Sequence, residues 1–99
     1  AGVCPLQAWL PTKIMQKIAA ENNLAETAFF VPQDDGFEIK WFTPLVEVDL
    51  CGHATLAAAH VLFNHMNYNS DTIKFSSKSG DLVVKKKQDK ICLNFPADF

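Results

Sequence analysis

The chain has 99 residues, a formal charge of −2 and 48% apolar residues, among them eight Phe and two Trp. That is one domain's length, able to bury a core without disulfides or metals, and too apolar for a disordered chain. The charge gives no electrostatic case for nucleic acid, and no apolar run is long enough to span a bilayer.

In chain order, Ala1-Gly2-Val3-Cys4-Pro5-Leu6 reads as the middle of a strand rather than a chain start. Pro11-Thr12 opens a helix, with Ile14, Met15, Ile18 and Ala19 at helical spacing on its buried side; Asn22-Asn23 closes it. Glu26 leads into Thr27-Ala28-Phe29-Phe30-Val31, a strand by its aromatic and β-branched content. Gln33-Asp34-Asp35-Gly36 turns the chain, and Phe37, Ile39 and Trp41 alternate with Glu38 and Lys40 to complete a hairpin. After Pro44, the alternation of Val46, Val48 and Leu50 with Glu47 and Asp49 predicts a third strand with its valines and leucine inward. From about His53 to Met66 a helix is apolar almost all round, as a helix buried on most sides is. Three short strands follow, around Ile73–Phe75, Leu82–Val84 and Ile91–Phe95, joined by turns at Ser79-Gly80 and Gln88-Asp89. Lys85-Lys86-Lys87 reads as a solvated strand end that discourages edge pairing. The predicted class is α+β: a mostly antiparallel sheet wrapped around one small-residue helix, with a second helix outside.

Cys4, Cys51 and Cys92 are an odd number without CxxC spacing, so free thiols in a reducing compartment are expected. With no signal-peptide pattern at the start, the cytoplasm is the expected location. The chemistry concentrates in "LCGHATLAAAH", Leu50 to His60. A helix start presents unpaired N–H groups and a partial positive charge. Gly52 allows close approach, so the N–H groups around Gly52, His53 and Ala54 suit a carboxylate. The His53 imidazole is a proton donor or acceptor, and Cys51 lies where a thiolate is favoured. The same residues also fit a tight strand-to-helix turn with a small core thiol, and spacing leaves both readings open. His60 and His65, five apart, do not share a helix face, so no metal site is expected. Glu26, beside an apolar strand, is the second candidate: a desolvated carboxylate suited to proton transfer, or else a solvated acid at a strand end.

Three segments together, "ENNLAETAFFVP", "IKWFTPLVEVDLCGHATLAAAHVLF" and "ICLNFPADF", resemble the phenazine-biosynthesis-like isomerase family over nearly the whole chain. The resemblance implies a fold shared with diaminopimelate epimerase, in which two similar halves each wrap a sheet around a central helix and the active site lies between them. It implies that residues 1–99 are a single domain, the first half, with the second half beyond this sequence. It implies a cofactor-independent proton shift on a small carboxylate-bearing substrate, with Glu26 as proton shuttle and His53 positioning or protonating the substrate. Gly52, Ala54 and Cys51 would line the substrate carboxylate. Ala25 departs from the family's usual serine, which removes a hydroxyl beside the shuttle. The second acidic partner would lie in the other half.

Two rival readings remain beside this one. In the related diaminopimelate epimerases the cysteine of a similar Cys-Gly pattern is the acid/base, so Cys51 could serve a cysteine-dependent racemase or epimerase. A half-domain with an exposed apolar face could instead be a non-catalytic dimerisation or protein-binding module. The expected partners are a small carboxylate and a second copy of the chain, with neither nucleic acid nor membrane.

Overall fold

The computed structural model describes residues 1–88 and 90–94. The elements run β1 (Gly2–Pro5), α1 (Thr12–Asn22), β2 (Thr27–Gln33), β3 (Gly36–Phe42), β4 (Glu47–Val48), α2 (Gly52–Asn64), β5 (Thr72–Ser77), β6 (Gly80–Lys87) and β7 (Lys90–Asn94). All seven strands join one sheet in the order β1-β2-β3-β5-β6-β7, with β4 sharing β5's side of β3. Pairing is antiparallel except at β1–β2 and β3–β5. The α+β sheet around a small-residue helix is therefore the architecture observed.

The alternation of side chains along β2 and β3 divides the core in two. Ala28, Phe30, Ile39 and Trp41 face α2 and join Ala54, Ala58, Ala59, Leu62 and Phe63. Phe29 and Phe42 point to the other side and meet Met15 and Ala19 of α1. These two rings pack edge to face at 5.4 Å. The wholly buried alanines of α2 remove the bulk that would hold the sheet away. Both edge strands reach the helix, with Val3 of β1 and Ile91 and Leu93 of β7 packed on its cluster.

Several expectations change on contact with the structure. The closure around α2 is incomplete: His53, His60 and Asn64 are exposed, and Leu56, Ala57 and Val61 are half-buried along the same open face. A helix without a polar face is thus covered on one side only by these strands. Ile14 is exposed, because the axis of α1 presents Met15 and Ala19 to the sheet. Regular pairing in the third strand is confined to Glu47–Val48. The Thr43 hydroxyl accepts from the N–H groups of Leu45 and Val46 at 3.2 and 3.1 Å, folding a local turn that leaves Val46 54% exposed. Val48 and Leu50 do pack inward. Lys85, Lys86 and Lys87 lie on an interior strand, since β6 pairs with both β5 and β7. Positive φ values at Gly80 (106°) and Gln88 (56°) build the two strand turns. Asp89 and Phe95 lie outside the described residues.

The parallel β3–β5 contact joins the two parts of the sheet through Phe37↔Phe75 and Glu38↔Ser76 alone. Gly36 sits at its end, where an added Cβ would fall on the backbone carbonyl of Lys74. A backbone cannot yield as a side-chain tip can. Gly36→Ala is expected to cost about 1–3 kcal/mol by forcing β3 from β5, read as a lowered midpoint in urea unfolding.

Candidate active site at the mouth of the central helix

Glu26 and Cys51, the N-cap of α2, are 25 residues apart in the chain and meet in space. Asn23 ends α1 in the left-handed conformation, φ 52°, which sends the chain back toward the sheet. The carbonyl of Glu26 then accepts from the N–H of Gly2 at 2.8 Å, fixing its backbone beside β1. Its side chain leaves on the face of β2 that carries Ala28 and Phe30, toward α2. There the thiol of Cys51 donates to Oε1 of Glu26, Sγ to oxygen 3.5 Å. Both residues are half-buried.

The helix start is braced from below. Trp41, 1% exposed, donates its indole N–H to Oγ1 of Thr55 at 3.0 Å. Thr55 donates in turn to the carbonyl of Cys51 at 2.8 Å. The N–H of Thr55 also bonds that carbonyl, at 3.1 Å, and begins the helical ladder. The approach to the turn is held by Ser79, whose hydroxyl donates to the carbonyl of Asp49 at 2.8 Å, and by the Lys78–Glu47 ion pair at 3.3 Å. Cys51 is the N-cap in extended conformation and makes no side-chain cap hydrogen bond. The N–H groups of Gly52, His53 and Ala54 are those a helix leaves without carbonyl partners at its first turn.

Burial pushes the Cys51 thiol above its ordinary range, and the charge and hydrogen bond of Glu26 push it the same way. The N–H groups of Ala54 and His53 oppose this. The net direction is upward, so at neutral pH Cys51 is a thiol that donates, and the thiolate expected at a helix start is not the form this setting favours. Cys4 is raised as well, by burial. Cys92 is exposed. Alkylation at pH 8 is therefore expected to modify Cys92 first, with Cys4 and Cys51 lagging, as mass mapping of the labelled peptides would report. A raised thiol keeps its proton in the folded state after the unfolded chain has lost it. The resulting stability is complete below the ordinary thiol range and is lost as pH rises through the folded value.

The structure thus brings Glu26, Cys51 and the backbone of Gly52, His53 and Ala54 together. Ala54 is wholly buried, backbone included, and its N–H acts on the Cys51 thiol. The His53 ring is exposed at the rim. The sequence reading missed Trp41 and Thr55, although a buried indole needs an acceptor and a threonine four residues after the N-cap can reach it.

The other end of α2 differs from expectation. The rings of His60 and His65 lie 5.7 Å apart, because His65 follows the last helical residue and is freed from the helix face. Among the described residues no group of three metal-ligating side chains forms. His60, Asn64, Lys86, Gln88 and Ile91 line a cleft of about 280 Å³ there. This cavity is eight residues along the helix from Gly52, about 12 Å, and among the described residues its lining has no thiol or carboxylate. The chemistry of the side chains ranks the mouth above it.

Comparison with known proteins places the fold and the family. Among solved structures, a phenazine biosynthesis protein of the PhzF family from Enterococcus faecalis superposes with a TM-score of 0.87 at 52% identity, covering 90% of this chain and 34% of its own. A predicted epimerase from Pseudomonas aeruginosa shares the fold, with a TM-score of 0.71 over 90% of this chain and 33% of its own, at 24% identity. The fold is therefore that of PhzF-type and epimerase-type proteins. A family model, phenazine biosynthesis-like protein, matches residues 1–96, and the chain belongs to that family. An uncharacterized isomerase of Pseudomonas aeruginosa is 52% identical over 97 residues, 98% of this chain and 38% of its own length. The mouse phenazine biosynthesis-like domain-containing protein 1 is 43% identical over 104 residues, 97% of this chain and 36% of its own. The chain thus spans under two fifths of the length of these relatives. No helix among the described residues is long and apolar enough to cross a membrane.

Proposed function

We propose that this chain is the first half of a cofactor-independent isomerase that shifts a proton on a small carboxylate-bearing substrate. The observation that carries the reading is the meeting of Glu26 with the start of α2, through the 3.5 Å contact to Cys51. The N–H groups of Gly52 and His53 bind the substrate carboxylate and stabilise negative charge as it develops. The Glu26 carboxylate removes a proton from a carbon beside that group and returns it at another position. His53 at the rim orients the substrate or supplies a proton. The remainder of the site belongs to a second half of the kind its longer relatives have room for.

The relatives' description as isomerases supports the reaction class. Burial and the neighbouring carboxylate raise the Cys51 thiol, which supports Glu26 over Cys51 as the base. The test is solvent exchange. The intact protein, incubated in D₂O with a panel of small unsaturated and hydroxylated carboxylic acids, is expected to wash deuterium into a carbon position of at least one, followed by proton NMR. Absence of exchange across the panel, with redistribution of another group in its place, would contradict a proton shift.

A further inference from the structure

We propose that Cys51 is a positioning residue for Glu26: its thiol holds one carboxylate oxygen at the helix mouth and leaves the other turned toward substrate. The inference rests on the proton-shuttle reading of Glu26 and adds to it the part played by the thiol.

The geometry first removes a rival role. In a two-base epimerisation the two groups stand on opposite faces of one carbon. With reacting atoms about 3–3.5 Å from that carbon, they are about 6–7 Å apart. Sγ of Cys51 and Oε1 of Glu26 are 3.5 Å apart and joined by a hydrogen bond. They lie on the same side of anything bound at the mouth, so they are not an opposed pair.

What the contact does is orient. Glu26 stands in the link between α1 and β2, tied by its backbone to Gly2 but carrying a flexible side chain. Cys51 is the better anchored partner. Its carbonyl takes bonds from the hydroxyl and the N–H of Thr55, and Thr55 is fixed by the buried indole of Trp41. The order Trp41–Thr55–Cys51–Glu26 therefore runs from the core to the carboxylate. A thiol in this place must keep its proton to serve, and burial together with the carboxylate's own charge favours that. During turnover Oε2 of Glu26 takes the substrate proton, the S–H proton stays on sulfur, and Glu26 later gives its proton back to the substrate. Cys51 forms no bond to substrate.

The experiment measures kcat and KM in the intact protein for wild type, Cys51→Ala, Cys51→Ser and Glu26→Gln, with unfolding midpoints recorded for each. Cys51→Ala is expected to lower kcat about tenfold with KM little changed, equivalent to about 1.4 kcal/mol. Cys51→Ser, which keeps an O–H donor, should recover most of that rate. In the Glu26→Gln background, Cys51→Ala should add no further loss. A Cys51→Ala enzyme with the wild-type rate would overturn the proposal while leaving Glu26 as shuttle. Loss in Cys51→Ser as deep as in Cys51→Ala would overturn it in favour of a thiol acting directly on substrate. Full activity in Glu26→Gln would remove the shuttle and this proposal with it.

Discussion

Glu26→Gln in the intact protein is expected to lower kcat by about 10²- to 10⁴-fold, the range that a positioned general acid or base contributes. The substitution is close to isosteric, and its amide oxygen can still accept from the Cys51 thiol, so the mouth keeps its shape. What disappears is the capacity to take a proton from carbon. An interaction made only in the transition state shows in kcat, so KM should stay near wild type. Steady-state kinetics on the substrate found by deuterium exchange would check this. Equal losses in binding and rate would instead assign Glu26 to holding the substrate.

Trp41→Ala is expected to be the most destabilising single change in the account, about 3–5 kcal/mol. Trp41 is among the largest wholly buried side chains and lies in the cluster that seats α2 on β3. Truncation leaves a cavity between helix and sheet and deprives the Thr55 hydroxyl of its donor. Trp41→Phe separates the two contributions. It keeps most of the packing and loses the N–H, for about 0.5–1.5 kcal/mol. Urea unfolding midpoints of the two variants give the split. Because Trp41 supports Thr55 and so the carbonyl of Cys51, Trp41→Phe should also lower kcat more than its small stability cost would suggest.

How much of this was legible in the sequence depended on the range of the interaction. Local patterns carried well. The alternation Phe37, Ile39, Trp41 placed β3 and its inner face, and Gln33 to Gly36 placed the hairpin turn. The run of alanines in α2 announced a helix that a sheet could approach closely. Where a side chain overrode the pattern, the reading failed: the Thr43 hydroxyl captured two backbone N–H groups and turned Val46 outward despite its place in an alternating segment. Pairing between distant strands was not visible. The parallel β3–β5 seam depends on long-range register, whereas the β6–β7 hairpin is local and its turn was read at Gln88. The open face of α2 is of the same kind, since composition reports an apolar helix but not how many strands are present to cover it.

The candidate site divides the same way. Gly52 and His53 at a helix start, and Glu26 before a strand, could each be named from local chemistry and family resemblance. That Glu26 touches Cys51 could not, because the contact is made by the return of the chain after Asn23 and by the bracing of Cys51 through Thr55 and Trp41. The thiol's protonated state follows from that contact and from burial. Position at a helix start alone pointed to the thiolate.

The measurement that bears most directly on the central claim is a crystal structure of the intact protein with a non-reacting analogue of the carboxylate substrate. The expected result is the carboxylate on the N–H groups of Gly52 and His53, with Glu26 facing the carbon that loses its proton. A carboxylate seated instead in the cleft of His60, Asn64 and Lys86, with the mouth of α2 free, would contradict it.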